Sequence, residues 1–192
     1  IRSTTQVFLL TFARIMGLSL VFFSPCAPTI TESHYGETKL FGEWLLRDAG
    51  LATGLRHTSL RYFNVVGSGS QQLFDASPHN LFPKVFDMLY RGATPSINGA
   101  DYPTPDGTCV RDYIHVTDLA AAHLDAIAYL RGGGESLVSN VGYGRGFSVR
   151  EVLETVRRVH GQDFDIRSAG RRAGDPAMIV ADGSTARWSD VC

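Results

Sequence analysis

The chain has 192 residues, 44% of them hydrophobic, and 18 Lys+Arg against 19 Asp+Glu give a formal charge of −1. That balance excludes the strong basic field of nonspecific nucleic-acid binding, and the apolar fraction argues against wholesale disorder. Cys26, Cys109 and Cys192 form no C-x-x-C pair, which argues against a zinc knuckle or a disulfide framework and suits a reducing, cytoplasmic compartment. The length fits one domain or part of a larger one. The chain opens on Ile1, and TARWSDVC at its end reads as the start of a helix, so the expectation is a chain incomplete at both ends.

Residues 7–23 (VFLLTFARIMGLSLVFF) are apolar enough to suggest a signal peptide or a membrane span. Arg14 lies in the middle, where a charge is costly in lipid, and Gly17 divides two differently patterned halves. The pattern therefore predicts a buried helix over 4–16, with Val7, Leu10 and Ile15 on its apolar faces, and a buried strand over 18–23. A helix follows over 36–49, closed by Gly50. Residues 57–66 (HTSLRYFNVV) predict a strand ended by GSGS at 67–70. Residues 80–91 predict a helix with Pro83 in its first turn and Gly92 at its stop. Asp118 is placed to cap a helix over 119–130, stopped by the glycines at 132–134. VSNVG at 138–142 predicts a short strand. Ser148, with Glu151 three residues on, is a capping-box pattern for a helix over 149–159, and FDIRS at 164–168 predicts a last strand. Alternating strands and helices point to an α/β fold with a largely parallel sheet.

Lys39 is one of only two lysines and stands four residues after Tyr35. On a helix, positions i and i+4 share a face. An ammonium beside a phenol favours the phenolate and lowers its pKa, and a phenol so tuned can exchange a proton with a sugar hydroxyl near neutral pH. From the spacing alone, an exposed pair without a role is the competing reading. His115 reads as a packed or capping histidine, His34 as a loop histidine, Trp44 and Leu45 as core or helix-packing residues, and Cys109 and Cys192 as free thiols.

Five stretches occur in order: YGETK at 35–39, RYFN at 61–64, NL at 80–81, DYPTPDGTCVRDYIH at 101–115 and RRAGDP at 171–176. Together, over about residues 7–188, they resemble the UDP-glucose 4-epimerase family of extended short-chain dehydrogenases/reductases. The resemblance implies the second half of a Rossmann-like parallel sheet followed by a smaller substrate-binding region. Residues 1–66 would be the C-terminal part of the NAD-binding domain. Residues 67–192 would be mainly substrate-binding, with some strands and helices returning to the first domain. The implied activity is interconversion of UDP-glucose and UDP-galactose by transient oxidation at C4 with bound NAD. Tyr35 matches the catalytic base, and Lys39 matches the lysine that holds the nicotinamide ribose and biases the phenol toward ionisation. Phe63 matches a position against the cofactor, and Asn64 an asparagine that hydrogen-bonds the UDP moiety. Asn80 and Leu81 match contacts covering the diphosphate. Arg111 and Arg172 match arginines that reach it, as planar guanidinium forks suit phosphate oxygens. Asp175 matches a carboxylate that accepts from the uridine ribose. The resemblance also implies a homodimer through the Tyr–Lys helix.

The chain departs from the family pattern in several places. No glycine-rich strand–turn–helix stands in it; VGYGRG at 141–146 comes late and lacks an acidic partner. Such glycines let backbone approach a pyrophosphate at a helix N-terminus. Cys26 occupies the position of a hydroxyl residue that bonds the sugar 4-hydroxyl, and a thiol is the weaker donor and acceptor. Only eight residues separate Cys26 from Tyr35, fewer than the family's usual loop. Ile179 stands where some members carry a tyrosine limiting the sugar pocket. Two alternatives accompany the main reading. One is an epimerase of another UDP-sugar; the other, of a different class, is an inactive truncated or degenerate fragment that at most binds UDP weakly. The missing glycine motif predicts that the isolated chain neither retains NAD nor turns over UDP-galactose, and half a sheet would make it poorly soluble alone.

Overall fold

The computed structural model describes residues 7–13, 34–161 and 163–182. In chain order the elements are β1 (Val7–Ala13), α1 (His34–Thr53), β2 (Arg56–Tyr62), β3 (Asn64–Val66), α2 (Leu81–Tyr90), β4 (Ser96–Asn98), β5 (Val110–His115), α3 (Val116–Arg131), β6 (Leu137–Val141), β7 (Gly146–Ser148), α4 (Val149–His160), β8 (Arg167–Ala169) and β9 (Met178–Ile179). The architecture is α/β. One parallel sheet has the order β1-β2-β6; a second is centred on β5, which pairs in parallel with β3 and β9 and antiparallel with β7.

Within the helix expected over 4–16, the described residues 7–13 form β1 instead. All seven residues pair in parallel with β2, from Val7 opposite Arg56 to Ala13 opposite Tyr62. A short apolar run fits a buried helix or a buried parallel strand equally well, and pairing with a distant segment decides between them. The strand expected over 18–23, and Cys26, lie outside the described residues.

The helix α1 begins at His34, so that residue is helical and not in a loop. It also runs through Gly50, and the chain turns at Gly54 (φ 72°), whose N–H donates to the Gly50 carbonyl at 2.9 Å. A Cβ at position 50 would sit 2.9 Å from the Leu55 carbonyl oxygen. The glycine there gives room for the chain to fold back against the helix, and does not end it. Trp44 and Leu45 are not core residues: they stand 47% and 54% exposed on the outer face of α1.

The single strand expected over 57–66 is two strands meeting at Phe63. β2 stays in the first sheet, and β3 crosses to β5 with Asn64 opposite Tyr113. The VRDYIH segment escapes sequence reading as a strand because charges interrupt it, yet Val110 through Ile114 are buried. Asp112 explains part of this. Its carboxylate accepts from the backbone N–H groups of Tyr143 (3.1 Å), Gly144 (2.9 Å) and Ala181 (3.1 Å). A buried carboxylate is tolerable when it is bonded this fully, and it ties the turn after β6 and the chain after β9 to β5.

His115, not Asp118, caps α3. Its Nδ1 accepts from the Thr117 N–H at 3.3 Å, leaving Asp118 in the first turn. The capping box of α4 is present: Glu151 N–H donates to Ser148 Oγ at 3.0 Å and Ser148 N–H to Glu151 Oε2 at 2.7 Å. The expected last strand is displaced to β8, which pairs with β4. Phe164 and Ile166 pack instead on a core of Val85, Ile97, Leu153 and Val156 that joins α2, β4 and α4.

Candidate active site

Asn64, Asn80, Leu81, Arg111, Arg172 and Asp175 line one cavity of about 130 Å³. They arrive from four separate stretches: β3, the start of α2, β5, and the chain between β8 and β9. Arg111 is 4% exposed. Its Nη1 donates to the Val110 carbonyl at 2.8 Å and its Nη2 to Asp175 Oδ1 at 3.3 Å. The other carboxylate oxygen of Asp175 lies 4.0 Å from Arg172 Nε. Two guanidinium groups thus face one carboxylate, and Lys84 lines the same cavity. The excess of positive charge suits a multiply charged anion, with Arg111 held rigidly and Arg172, 56% exposed, at the mouth.

A second cavity of about 1250 Å³ adjoins the first, since Asn64, Asn80 and Leu81 line both. Phe63, Phe74, Phe82, Phe86 and Tyr113 give it largely apolar walls, and its size suits an organic ligand bound by shape with a few polar contacts.

Tyr35 is the second residue of α1, and Lys39 follows one turn later with its side chain half-buried. Lys39 lines neither cavity, whereas Phe63 borders the larger one. One further turn along, Glu43 accepts two bonds from Arg61 of β2, from Nε at 2.7 Å and Nη2 at 2.6 Å. This fork is 7% and 14% exposed. It sets the rotation of α1 on the sheet, and residues 35, 39 and 43 recur at four-residue steps along that helix.

Ser96, Asn98 and Cys109 also line the small cavity and escaped sequence reasoning. A signal was available: in an extended segment residues 96 and 98 share a face opposite Ile97, which is 1% exposed. Burial pushes the Tyr102 phenol up to about 12, with the Cys109 thiol and the Asp175 carboxylate beside it adding to the rise; this phenol is no base at neutral pH. Ile179 is a buried residue of β9 and lines neither cavity. Among the described residues no group of three or more His, Cys, Asp or Glu is disposed to hold a metal ion, and no helix is long and apolar enough to cross a membrane.

Comparison with known proteins gives a consistent result. The model of the NAD dependent epimerase/dehydratase family matches residues 21–142. A UDP-glucose 4-epimerase of Azospirillum brasilense is 49% identical over 159 residues, 81% of this chain and 46% of the relative. One from Streptomyces lividans is 48% identical over 164 residues, 84% of this chain and 49% of the relative. The chain therefore spans about half the length of these curated relatives. Among solved structures, UDP-glucose 4-epimerase from Brucella ovis in complex with NAD superposes with a TM-score of 0.82 at 37% identity, over 93% of this chain and 57% of the other. The enzyme from Bifidobacterium longum in complex with NAD+ and UDP gives 0.81 at 34% identity, over 93% and 56%.

Proposed function

This chain belongs to the NAD dependent epimerase/dehydratase family, and we propose that it carries the substrate-binding half and the Tyr–Lys helix of a UDP-hexose 4-epimerase. The reaction is interconversion of UDP-glucose and UDP-galactose through transient oxidation at C4. The observation that carries this reading is the small cavity, which gathers Asn64, Asn80, Leu81, Arg111, Arg172 and Asp175 from stretches far apart in the chain. Arg111 and Arg172 hold the diphosphate, Asp175 accepts from the uridine ribose, Asn64 bonds the UDP moiety, and Asn80 with Leu81 covers it.

Tyr35 would take the 4-hydroxyl proton, Lys39 would favour the phenolate and hold a cofactor ribose, and Cys26 takes the sequence position of the hydroxyl residue that bonds the 4-hydroxyl in the family. NAD would supply the hydride acceptor for C4, and Phe63, which lines the larger cavity, is the residue that would lie along it. Of that cofactor, these residues would meet the nicotinamide end. The helices α2, α3 and α4 are preceded by Asn80, His115 and Ser148, so none of the three presents the glycine turn that takes a pyrophosphate.

Residues 1–66 belong to the cofactor domain and 67–192 mainly to the substrate region. The return of β6 to pair with β2 supports the exchange between them. Exposed Phe41, Trp44 and Leu45 on α1 support a homodimer through that helix, and three cysteines without pair spacing support a cytoplasmic location. The test is calorimetric titration of the 192-residue chain with UDP. Saturable binding that is lost in Arg111→Met is expected; no binding, or full binding by that variant, overturns the site. The chemistry is tested by joining the chain to the glycine-rich half of a relative. The fusion is expected to convert UDP-galactose to UDP-glucose, and its Tyr35→Phe variant is not.

A further inference from the structure

Of the two guanidinium groups at the small cavity, Arg111 is held by burial and by hydrogen bonds from Nη1 and Nη2, but Arg172 has little to fix it. It is 56% exposed, and Asp175 lies 4.0 Å away. The segment that carries it is a tight turn, with Asp175 N–H donating to the Arg172 carbonyl at 3.2 Å and Gly174 at φ 73°. Beyond Asp175 this turn is tethered to Arg111. What tethers its other end is Arg171.

The chain reaches Arg171 along β8, whose Ala169 carbonyl accepts from the Gly99 N–H at 2.9 Å. There the Arg171 guanidinium lies over the Tyr102 ring, 4.3 Å from its centroid. Its Nε donates to Asp101 Oδ1 at 2.7 Å, and its Nη2 donates to the Asp101 backbone carbonyl. Gly99 makes the seat: a Cβ there would fall 2.4 Å from Tyr102 Cε2 and 2.8 Å from Arg171 Cγ. Arg171 lines neither cavity, so its charge is spent on the 101–102 segment. Cys109 and Asp175, both close enough to the Tyr102 phenol to raise its pKa, line the small cavity.

We propose that Arg171 is a positioning residue: clamped on Asp101 and the Tyr102 ring, it holds the 172–175 turn so that Arg172 and Asp175 face the anion seat beside Arg111. The inference rests on the reading of that cavity as the UDP site. The Arg171 hydrogen bond holds the Asp101 carboxyl below its usual range, so the clamp is closed at neutral pH.

The clamp and a simple field effect predict opposite outcomes for one substitution. Asp101→Asn removes a negative charge from the segment that carries the clamp, and by charge alone the anionic UDP would bind more tightly. If the clamp positions the turn, UDP binds more weakly. The experiment is UDP titration of the 192-residue chain and of Asp101→Asn, Arg171→Gln and the double variant, with far-UV circular dichroism to verify the fold. Asp101 is 75% exposed, so Asp101→Asn is expected to fold normally. Each single variant is expected to weaken UDP about three- to ten-fold, and the double variant no more than Arg171→Gln alone. Unchanged or tighter binding by Asp101→Asn, or additive losses in the double variant, overturns the clamp while leaving the UDP site standing. Failure of the unaltered chain to bind UDP overturns both.

Discussion

The helix that carries Tyr35 and Lys39 and the cavity around Arg111 are assembled in opposite ways. On α1 the two residues are one turn apart in a single element, so local geometry alone gives their spacing, and the Glu43–Arg61 fork has only to set the rotation of a rigid helix. At the cavity no two of Asn64, Arg111 and Asp175 share an element. They meet because β3 pairs with β5, and β9 brings the 170s back beside β5. The proposed proton-transfer pair needs one precise separation, which a helix supplies. The proposed anion seat needs donors from several directions, which only several segments can supply.

Substitutions can break this contrast. Arg111→Met should have the largest effect: it leaves the Asp175 carboxylate without its buried partner, costs about 3 kcal/mol of stability, and abolishes UDP binding, read by urea unfolding and calorimetry. Glu43→Gln weakens the fork under α1 and should cost about 2 kcal/mol while leaving the UDP affinity of the folded chain unchanged. A large loss of UDP affinity in that variant would show that the two regions are not independently built. Ser148→Ala removes the capping box of α4 and the contact of Ser148 with Asp106, and should cost about 1–2 kcal/mol in urea unfolding. A smaller effect concerns pH. Burial holds the His57 pKa below its ordinary 6.5, the nearby Glu43 opposing the shift. The unfolded chain therefore binds the proton more readily, so stability is complete above about pH 6.5 and falls as the pH drops through the lowered folded value. Urea unfolding at pH 7.5 and 5.5 should show this loss reduced in His57→Gln. The smallest effect sharpens the comparison from the other side: Lys39→Met should leave UDP affinity of the chain within about twofold, since it removes no contact from the anion seat.

Legibility in the sequence followed the same division. The Ser148–Glu151 box and the start of α2, marked by Pro83 in its first turn, were readable because the signals lie within one turn of the helix ends they mark. The six cavity residues were readable only through ordered motifs resembling a family; nothing in the spacing of Asn64, Arg111 and Asp175 says that they meet. Ser96 and Asn98 were missed because their alternation about Ile97 spans only three residues, a faint signal until the strand is seen. β1 was misread because its partner β2 lies far along the chain. β5 was missed because Arg111 and Asp112 look like surface charges until their partners at Asp175, Tyr143, Gly144 and Ala181 are in view.

The sequence by itself determined the capping box of α4, the one-turn step from Tyr35 to Lys39 and the chemical identity of the groups that line the small cavity, because these depend on side-chain type and on neighbours within a turn. Only the tertiary structure decided that residues 7–13 are a strand, that the chain changes sheets at Phe63, and that Asp175 stands between two arginines. Those outcomes depend on pairings between remote segments, whose hydrogen bonds and burial exist only once the segments have met.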